Sequence, residues 1–252
     1  MRRSKTGKYR RGQVLMVAIA VLFLAPVMVN SGKTEAAGPT SAKPSQQTGP
    51  ALPTVDAILD KYIAAIGGKD AIKNLTSVVQ TGVFEVPEAN LKGQAEGYGK
   101  APNKAAFKVT LDGYGVVQQI YDGTRGWYSD PAGGSREIKG EELAQLQRSS
   151  DLHRDIKYHE LYDKLTVVGK DKVGASDAYV IEAVPSGGGK PEKFYFDTTS
   201  GLLVRQDMVA ATPQGETQTE IYSEDYRDVG SGLKMPFTTR QVTPQVSFTL
   251  KF

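Results

Sequence analysis

The residues that could do chemistry are few, and most of them crowd into one stretch. Asp151, His153 and Asp155 set two carboxylates around an imidazole, the groups a general acid–base site needs. His159-Glu160 begins like a helical zinc-protease motif, but Asp163 stands where the second histidine belongs. His153 and His159 are the only two histidines and lie six apart. A helix does not bring that spacing to one face as metal ligands at i and i+4. The ordinary reading is exposed histidines at a solvated helix end. Ser186-Gly-Gly-Gly-Lys190 has the glycines and lysine of a phosphate loop. Pro191 and a strand pattern follow it, in place of Ser/Thr and a helix, so it reads as a flexible hairpin tip. No Gly-x-Ser-x-Gly elbow occurs.

Cysteine is absent. That removes thiolate nucleophiles, a disulfide framework, Cys-based metal sites and lipidation at an N-terminal cysteine. A hydrolase built on residues 151–155 is the remaining enzymatic option, and it lacks a nucleophile motif. The expectation is a protein that is not an enzyme and needs no cofactor or metal.

The elements that would position these residues centre on Gln118–Pro131, QQIYDGTRGWYSDP. It reads as two short strands joined at Asp122-Gly123, because glycine takes positive φ and aspartate caps its own backbone. The second strand carries the single tryptophan, Trp127, and Asp130-Pro131 ends it. Upstream, Thr54 reads as an N-cap. Val55, Ile58, Leu59, Tyr62, Ile63 and Ile66 follow at helical spacing, and Gly67-Gly68 stop the helix. A short helix is expected over residues 69–75.

From Thr76 the apolar period becomes two. Strands are expected at residues 77–86, 91–100, 104–111, 116–122 and 126–129. Ala105, Phe107, Val109 and Leu111 share one face there, as in a half-buried antiparallel strand. Residues 141–147 and 152–162 read as a helical pair. Strands resume at 165–173, 178–184, 192–197, 202–210, 216–226, 237–242 and 246–252. Phe194 and Phe196 share a face, as do Val246, Phe248, Leu250 and Phe252. About a dozen short strands must close or wrap around something to manage their edges. The fold class expected is therefore α+β: a strongly curved antiparallel sheet forming an incomplete, half-open β-barrel. The N-terminal helix and the central helical pair cover its concave face.

The front of the chain reads as an address. Residues 1–13 are basic, 14–29 form an apolar run interrupted by Pro26, and Thr34–Ala37 offers small residues for cleavage. That run is short for a membrane span of about 20 residues. A secretory signal at 1–37 is expected, with an uncleaved anchor as the alternative and the twin Arg10-Arg11 a weak hint of folded export. Residues 38–53, rich in Gly, Pro, Ser and Thr, read as a flexible linker, and 54–252 as one domain. The net charge of +3 is carried by the front: residues 1–37 hold seven Lys/Arg and one acid, leaving 24 basic and 27 acidic residues. A mildly acidic body does not advertise nucleic-acid binding. An exported cysteine-free chain fits the bacterial periplasm or the extracellular space, and the periplasm is the expected location.

Three passages resemble the LolA-like periplasmic carriers of outer-membrane lipoproteins, in the broad sense that includes uncharacterised relatives. They are Lys100-Ala-Pro-Asn-Lys104 followed by Phe107, Tyr121-Asp-Gly-Thr-Arg-Gly-Trp-Tyr-Ser-Asp-Pro131, and Phe194-Tyr-Phe-Asp-Thr-Thr-Ser-Gly-Leu-Leu203. Their order and spacing agree over roughly residues 54–252. The resemblance implies an incomplete barrel with a helical lid over an apolar cavity that binds lipids or lipoprotein acyl chains without chemistry. It implies an inner-membrane donor and an outer-membrane acceptor as partners, and a monomer is expected. No arginine of this sequence is assigned the lid-closing role of the best-known members. Inward positions give the expected cavity wall: Phe107, Val109, Leu111, Trp127, Phe194, Phe196, Phe248 and Leu250. The competing reading is a ligand-free envelope interaction or assembly module on the same fold, with these side chains filling a solid core.

Overall fold

The computed structural model describes residues 51–252. The expected signal segment, and all but the last residues of the expected linker, lie outside the described residues. The described residues open with α1 (Val55–Ala65) and α2 (Lys69–Lys73). Thr54 caps α1 by accepting a hydrogen bond from the Ala57 amide at 3.2 Å. The apolar stripe Ile58, Leu59, Tyr62 and Ile63 is buried. Gly67 ends α1 at φ +121, where a Cβ would stand 2.5 Å from the Gly232 carbonyl oxygen. The end of α1 therefore lies directly against the loop after residue 228, and the Lys234 amide donates to the Ile66 carbonyl at 2.9 Å.

Six strands follow: β1 (Ser77–Val86), β2 (Leu91–Lys100), β3 (Lys104–Leu111), β4 (Gly115–Tyr121), β5 (Gly126–Asp130) and β6 (Gly134–Ile138). Then come α3 (Gly140–Ser150), a single 3-10 turn at Arg154–Ile156, and α4 (Tyr158–Leu161). Seven more strands complete the chain: β7 (Tyr162–Val173), β8 (Ser176–Pro185), β9 (Glu192–Asp197), β10 (Leu203–Thr212), β11 (Gly215–Asp228), β12 (Lys234–Val242) and β13 (Ser247–Lys251). All thirteen belong to one curved, unclosed antiparallel sheet in the order β6-β5-β4-β3-β2-β1-β13-β12-β11-β10-β9-β8-β7. The last strand is thus the middle of the sheet, between β1 and β12.

The hairpin at 118–131 forms as its residues dictate. The Asp122 carboxylate accepts from the Thr124 and Arg125 amides, both at 2.8 Å, and Gly123 sits at φ +105. Two expectations need correction. Residues 152–162 do not form a continuous second helix: a 3-10 turn and one short turn of α4 occupy that span, and Tyr162 already opens β7. The expected strand set also omits β6, a five-residue edge strand.

The concave face carries two separate apolar clusters. One gathers Tyr62, Ile63, Ile66, Tyr158, Tyr162, Ile181, Phe194 and Phe196 beneath α1 and α4. Its aromatic rings meet at centroid distances of 5.2–6.3 Å, within the usual range for tilted and stacked contacts. The other gathers Phe84, Phe107, Val109, Leu111, Tyr121, Tyr128, Leu146, Phe248 and Leu250 beneath α3. Gln80, Gln119, Thr219, Ser223, Thr239 and Gln241 are buried among these apolar positions. A fully packed apolar core does not ordinarily take so many polar side chains.

Candidate functional site: the helical cover between the sheet edges

The two edge strands are β6 and β7, and the chain passes from one to the other through α3, the 3-10 turn and α4. The segment that joins the edges is therefore also the cover of the concave face. Polar contacts hold it down. The Gln145 side chain lies along the β10 edge: its Nε2 donates to the Val209 carbonyl at 2.7 Å, and its Oε1 accepts from the Ala211 amide at 3.0 Å. β9 pairs with β10 only over Leu203–Asp207. The amide of Gln145 thus replaces the missing strand for one residue pair, satisfying groups that burial would otherwise leave costly.

Further along α3, Arg148 donates to Glu192 Oε1 on β9 at 3.2 Å. Glu192 Oε2 accepts from the Tyr162 hydroxyl and from Gln206 Nε2, each at 2.9 Å. The lid supplies the cation and the sheet the carboxylate. At the other end of α3, Arg136 of β6 donates two bonds of 2.7 Å to Glu142. The Leu152 amide donates to the Pro102 carbonyl at 2.9 Å, tying the end of α3 to the β2–β3 turn.

The residues singled out for acid–base chemistry have other partners. Asp151 accepts from Lys157 at 2.7 Å and from the His153 amide at 2.8 Å. His153 Nε2 donates to the Leu75 carbonyl at 2.9 Å, and Asp155 accepts from the Tyr62 hydroxyl at 2.9 Å. His159 Nε2 reaches Asp56 of α1 at 2.8 Å. The last three contacts fasten the cover to α1 and to Leu75, just past the end of α2. Among the described residues, no three His, Asp or Glu side chains gather as a metal would need.

Beneath the cover lies a cavity of about 70 Å³. Leu146, Tyr158, Leu161, Tyr162, Phe194, Leu203, Met208 and Ile221 form its apolar wall, and Gln119, Arg148, Arg154, Asp155, Glu192 and Gln206 its polar one. Burial pushes the phenols of Tyr62, Tyr158 and Tyr162 well above their ordinary value, and neighbouring carboxylates add to the shift. They are neutral hydrogen-bonding groups in the folded protein. Burial works against the Arg154 cation, yet Asp155 and the surrounding phenols outweigh it and raise its pKa.

Of the eight wall residues expected from sequence, Phe194 alone lines this cavity. Phe107, Val109, Leu111, Phe248 and Leu250 are buried in the second cluster, and Phe196 in the first. Trp127 corrects an expectation. It is half-exposed, pairs with Ile120 and Glu137, and lies under the Arg125 guanidinium at 5.2 Å. Tyr128, one residue on, takes the inward position and is 6% exposed. Gly126 shares that inward phase because Leu146 of α3 seats on it, 2.8 Å from where a Cβ would be. Sequence reasoning missed Glu192, although it stands in phase with Phe194 and Phe196. It also missed Gln145 and Arg148, whose partners lie about 45–65 residues downstream and give no local signal.

No protein-family model matches the sequence, and no curated protein does. Solved structures do match the fold. A LolA superfamily protein from Nitrosomonas europaea superposes with a TM-score of 0.51 at 14% identity, covering 79% of this chain and 91% of its own. A DUF1329 family protein from Desulfovibrio piger gives 0.50 at 16% identity, covering 78% and 89%. The fold is LolA-like: an open antiparallel barrel with a helical cover.

Proposed function

We propose that this protein is a periplasmic carrier, binding lipids or lipoprotein acyl chains between the helical cover and the sheet and moving them within the envelope. The observation that carries the reading is the cover itself. It connects the two unpaired sheet edges, and beneath it a partly apolar cavity already exists. Carrying a hydrocarbon chain through water requires offsetting about 0.8 kcal/mol per CH₂. A cavity of about 70 Å³ is well below the roughly 300 Å³ of small ligand sites, so the described conformation is closed. Loading requires α3 to lift from β9 and β10, which breaks the Arg148 and Gln145 contacts. The sheet stays rigid because its ladder does not involve them. In this reading the protein does no chemistry. Residues 1–37 export it, and it meets an inner-membrane donor and an outer-membrane acceptor as a monomer.

The test is mass spectrometry of the protein purified from the periplasm without detergent, native and after solvent extraction. A stoichiometric lipid or acylated peptide is expected. A clean ligand-free mass, together with no uptake of a fluorescent fatty acid, overturns the carrier reading in favour of a ligand-free interaction module. The burial of Phe107, Val109, Leu111, Phe248 and Leu250 in one apolar cluster away from the cavity is what favours that second reading.

A further inference from the structure

The outward faces of β1 to β5 carry one continuous apolar row. In register, Val79 pairs with Tyr98, Tyr98 with Ala106, Ala106 with Ile120, and Ile120 with Trp127. Five strands at about 4.8 Å spacing make the row roughly 19 Å long. Val79 is 52% exposed and Tyr98 42%, while Ala106, Ile120 and Trp127 are partly exposed. Single exposed apolar residues need no explanation, but a contiguous row across five strands marks an interaction surface.

Charge tells what covers it. Lys100 and Lys104 border the row and stand directly opposite each other in the β2–β3 ladder. Like charges facing one another across a ladder are unfavourable; among the described residues neither lysine makes a salt bridge, and Lys104 acts on the Asp122 carboxylate only through its field. Arg125 lies over Trp127 at one end of the row, its charge already taken by Glu137 at 2.7 Å, so Lys100 and Lys104 are the cations that lack a carboxylate partner. On the other flank, Glu96 is already occupied by Lys108 at 2.6 Å and by the Tyr98 hydroxyl. A half-buried Trp and an exposed Tyr on one outward row, beside two lysines without a carboxylate partner, suit a lipid headgroup region, where aromatic rings sit at the interface and lysines meet anionic headgroups. An added peptide strand does not fit: β2, β3 and β4 are hydrogen-bonded on both sides, so no backbone groups are free there.

We propose that the convex face of β1–β5, along Val79, Tyr98, Ala106, Ile120 and Trp127, docks this protein on an anionic lipid surface. Lys100 and Lys104 lie against the headgroup phosphates. This goes beyond the carrier reading and is independent of it, because the row is on the opposite face of the sheet from the cavity.

Trp127 is the only tryptophan in the chain, so its emission reports on this face alone. The experiment titrates the full-length chain with vesicles of phosphatidylcholine and phosphatidylglycerol in equal amounts, and with phosphatidylcholine alone. Both are prepared with and without brominated acyl chains. The expected result is a blue shift and bromine quenching of Trp127 on the anionic vesicles, lost at high salt. The double variant K100E/K104E should need about tenfold more lipid for the same signal. Tyr98→Ser, on an exposed position, should weaken it while leaving the far-ultraviolet circular dichroism unchanged. The basic and apolar segment at 1–29 is common to all variants, so the difference between the wild type and K100E/K104E reads the convex face. No Trp127 response to anionic vesicles, or equal responses from the wild type and K100E/K104E, overturns the proposal. The row would then be left to a protein partner. A cargo lipid inside the cavity does not quench Trp127, so failure of the carrier reading and failure of this one are separate outcomes.

Discussion

Arg148 of the cover and Glu192 of the sheet meet at 3.2 Å with side-chain exposures of 10% and 4%. Both charges are withdrawn from water, and Glu192 also takes two neutral donors, Tyr162 and Gln206. A pair like this does not make a strong stabiliser, since desolvation consumes much of the Coulomb gain. It makes a specific one. The cover can sit down only where the guanidinium finds its carboxylate, and lifting it lets both charges regain water. The closed state is therefore well defined without being locked.

Removing one partner exposes the asymmetry. Arg148→Ala leaves the Glu192 charge buried, and the expected loss is about 3 kcal/mol, the lower end for a broken buried pair, because Tyr162 and Gln206 still donate to the carboxylate. Replacing both partners by leucine removes the uncompensated charge but leaves the Tyr162 hydroxyl and the Gln206 amide without their acceptor, so the double variant should cost about as much as the single one rather than more. Urea denaturation at neutral pH measures all three proteins. A single variant as stable as the wild type would mean that the pair is solvated in solution and does not hold the cover.

Gln145 gives a more local test. Gln145→Leu keeps the volume and removes both bonds to β10, leaving the Val209 carbonyl and the Ala211 amide without their partner. The expected cost is about 1–3 kcal/mol, concentrated in the seating of α3. Hydrogen exchange should become faster in α3 and at Ala211 while β1–β4 keep their protection. Unchanged exchange in α3 would show that the helix is held by its apolar side, through Leu146 on Gly126, and that the amide is incidental.

Much of this architecture was legible in the sequence because alternation carries it. Lys104–Leu111 and Phe248–Leu250 place themselves, and the edge problem of so many short strands already requires a curved sheet. What failed did so for local reasons. Residues 134–138 form a strand with little apolar content: Ile138 is its one buried position, with Arg136 and Glu137 half-buried, and pairing to β5 rather than composition makes it one. The stretch 152–162 has helical composition, but Lys157 at φ −121 breaks it, and the anchoring of His153 to Leu75 and of Asp155 to Tyr62 fixes that break. Trp127 and Tyr128 are adjacent aromatics of equal strand propensity. Only the packing of Leu146 on Gly126, a long-range contact, decides which of them turns inward. The same holds for the cover's fastenings. Glu192 could be read as inward from its phase, whereas nothing near Arg148 announces its partner.

The buried phenols make stability fall in alkali. Tyr62, Tyr158 and Tyr162 have folded pKa values raised well above 10.0, by burial first and by carboxylates second. A raised folded value means that the native state holds its proton more tightly than the unfolded chain. The contribution is therefore complete below the unfolded value of 10.0 and declines as pH climbs from there toward the folded values. Below that range these groups predict no pH dependence. Unfolding free energy from urea titrations should be level in this respect up to about pH 9 and drop steadily above pH 10. Phenolate absorbance should show the exposed tyrosines titrating at once and the buried set only as the protein unfolds. Tyr158→Phe removes one of the three, so its alkaline decline should be shallower than that of the wild type, whatever its stability at neutral pH. Parallel declines for the two proteins would show that Tyr158 ionises without leaving the fold, and that the space beneath the cover admits water far more readily than its packing implies.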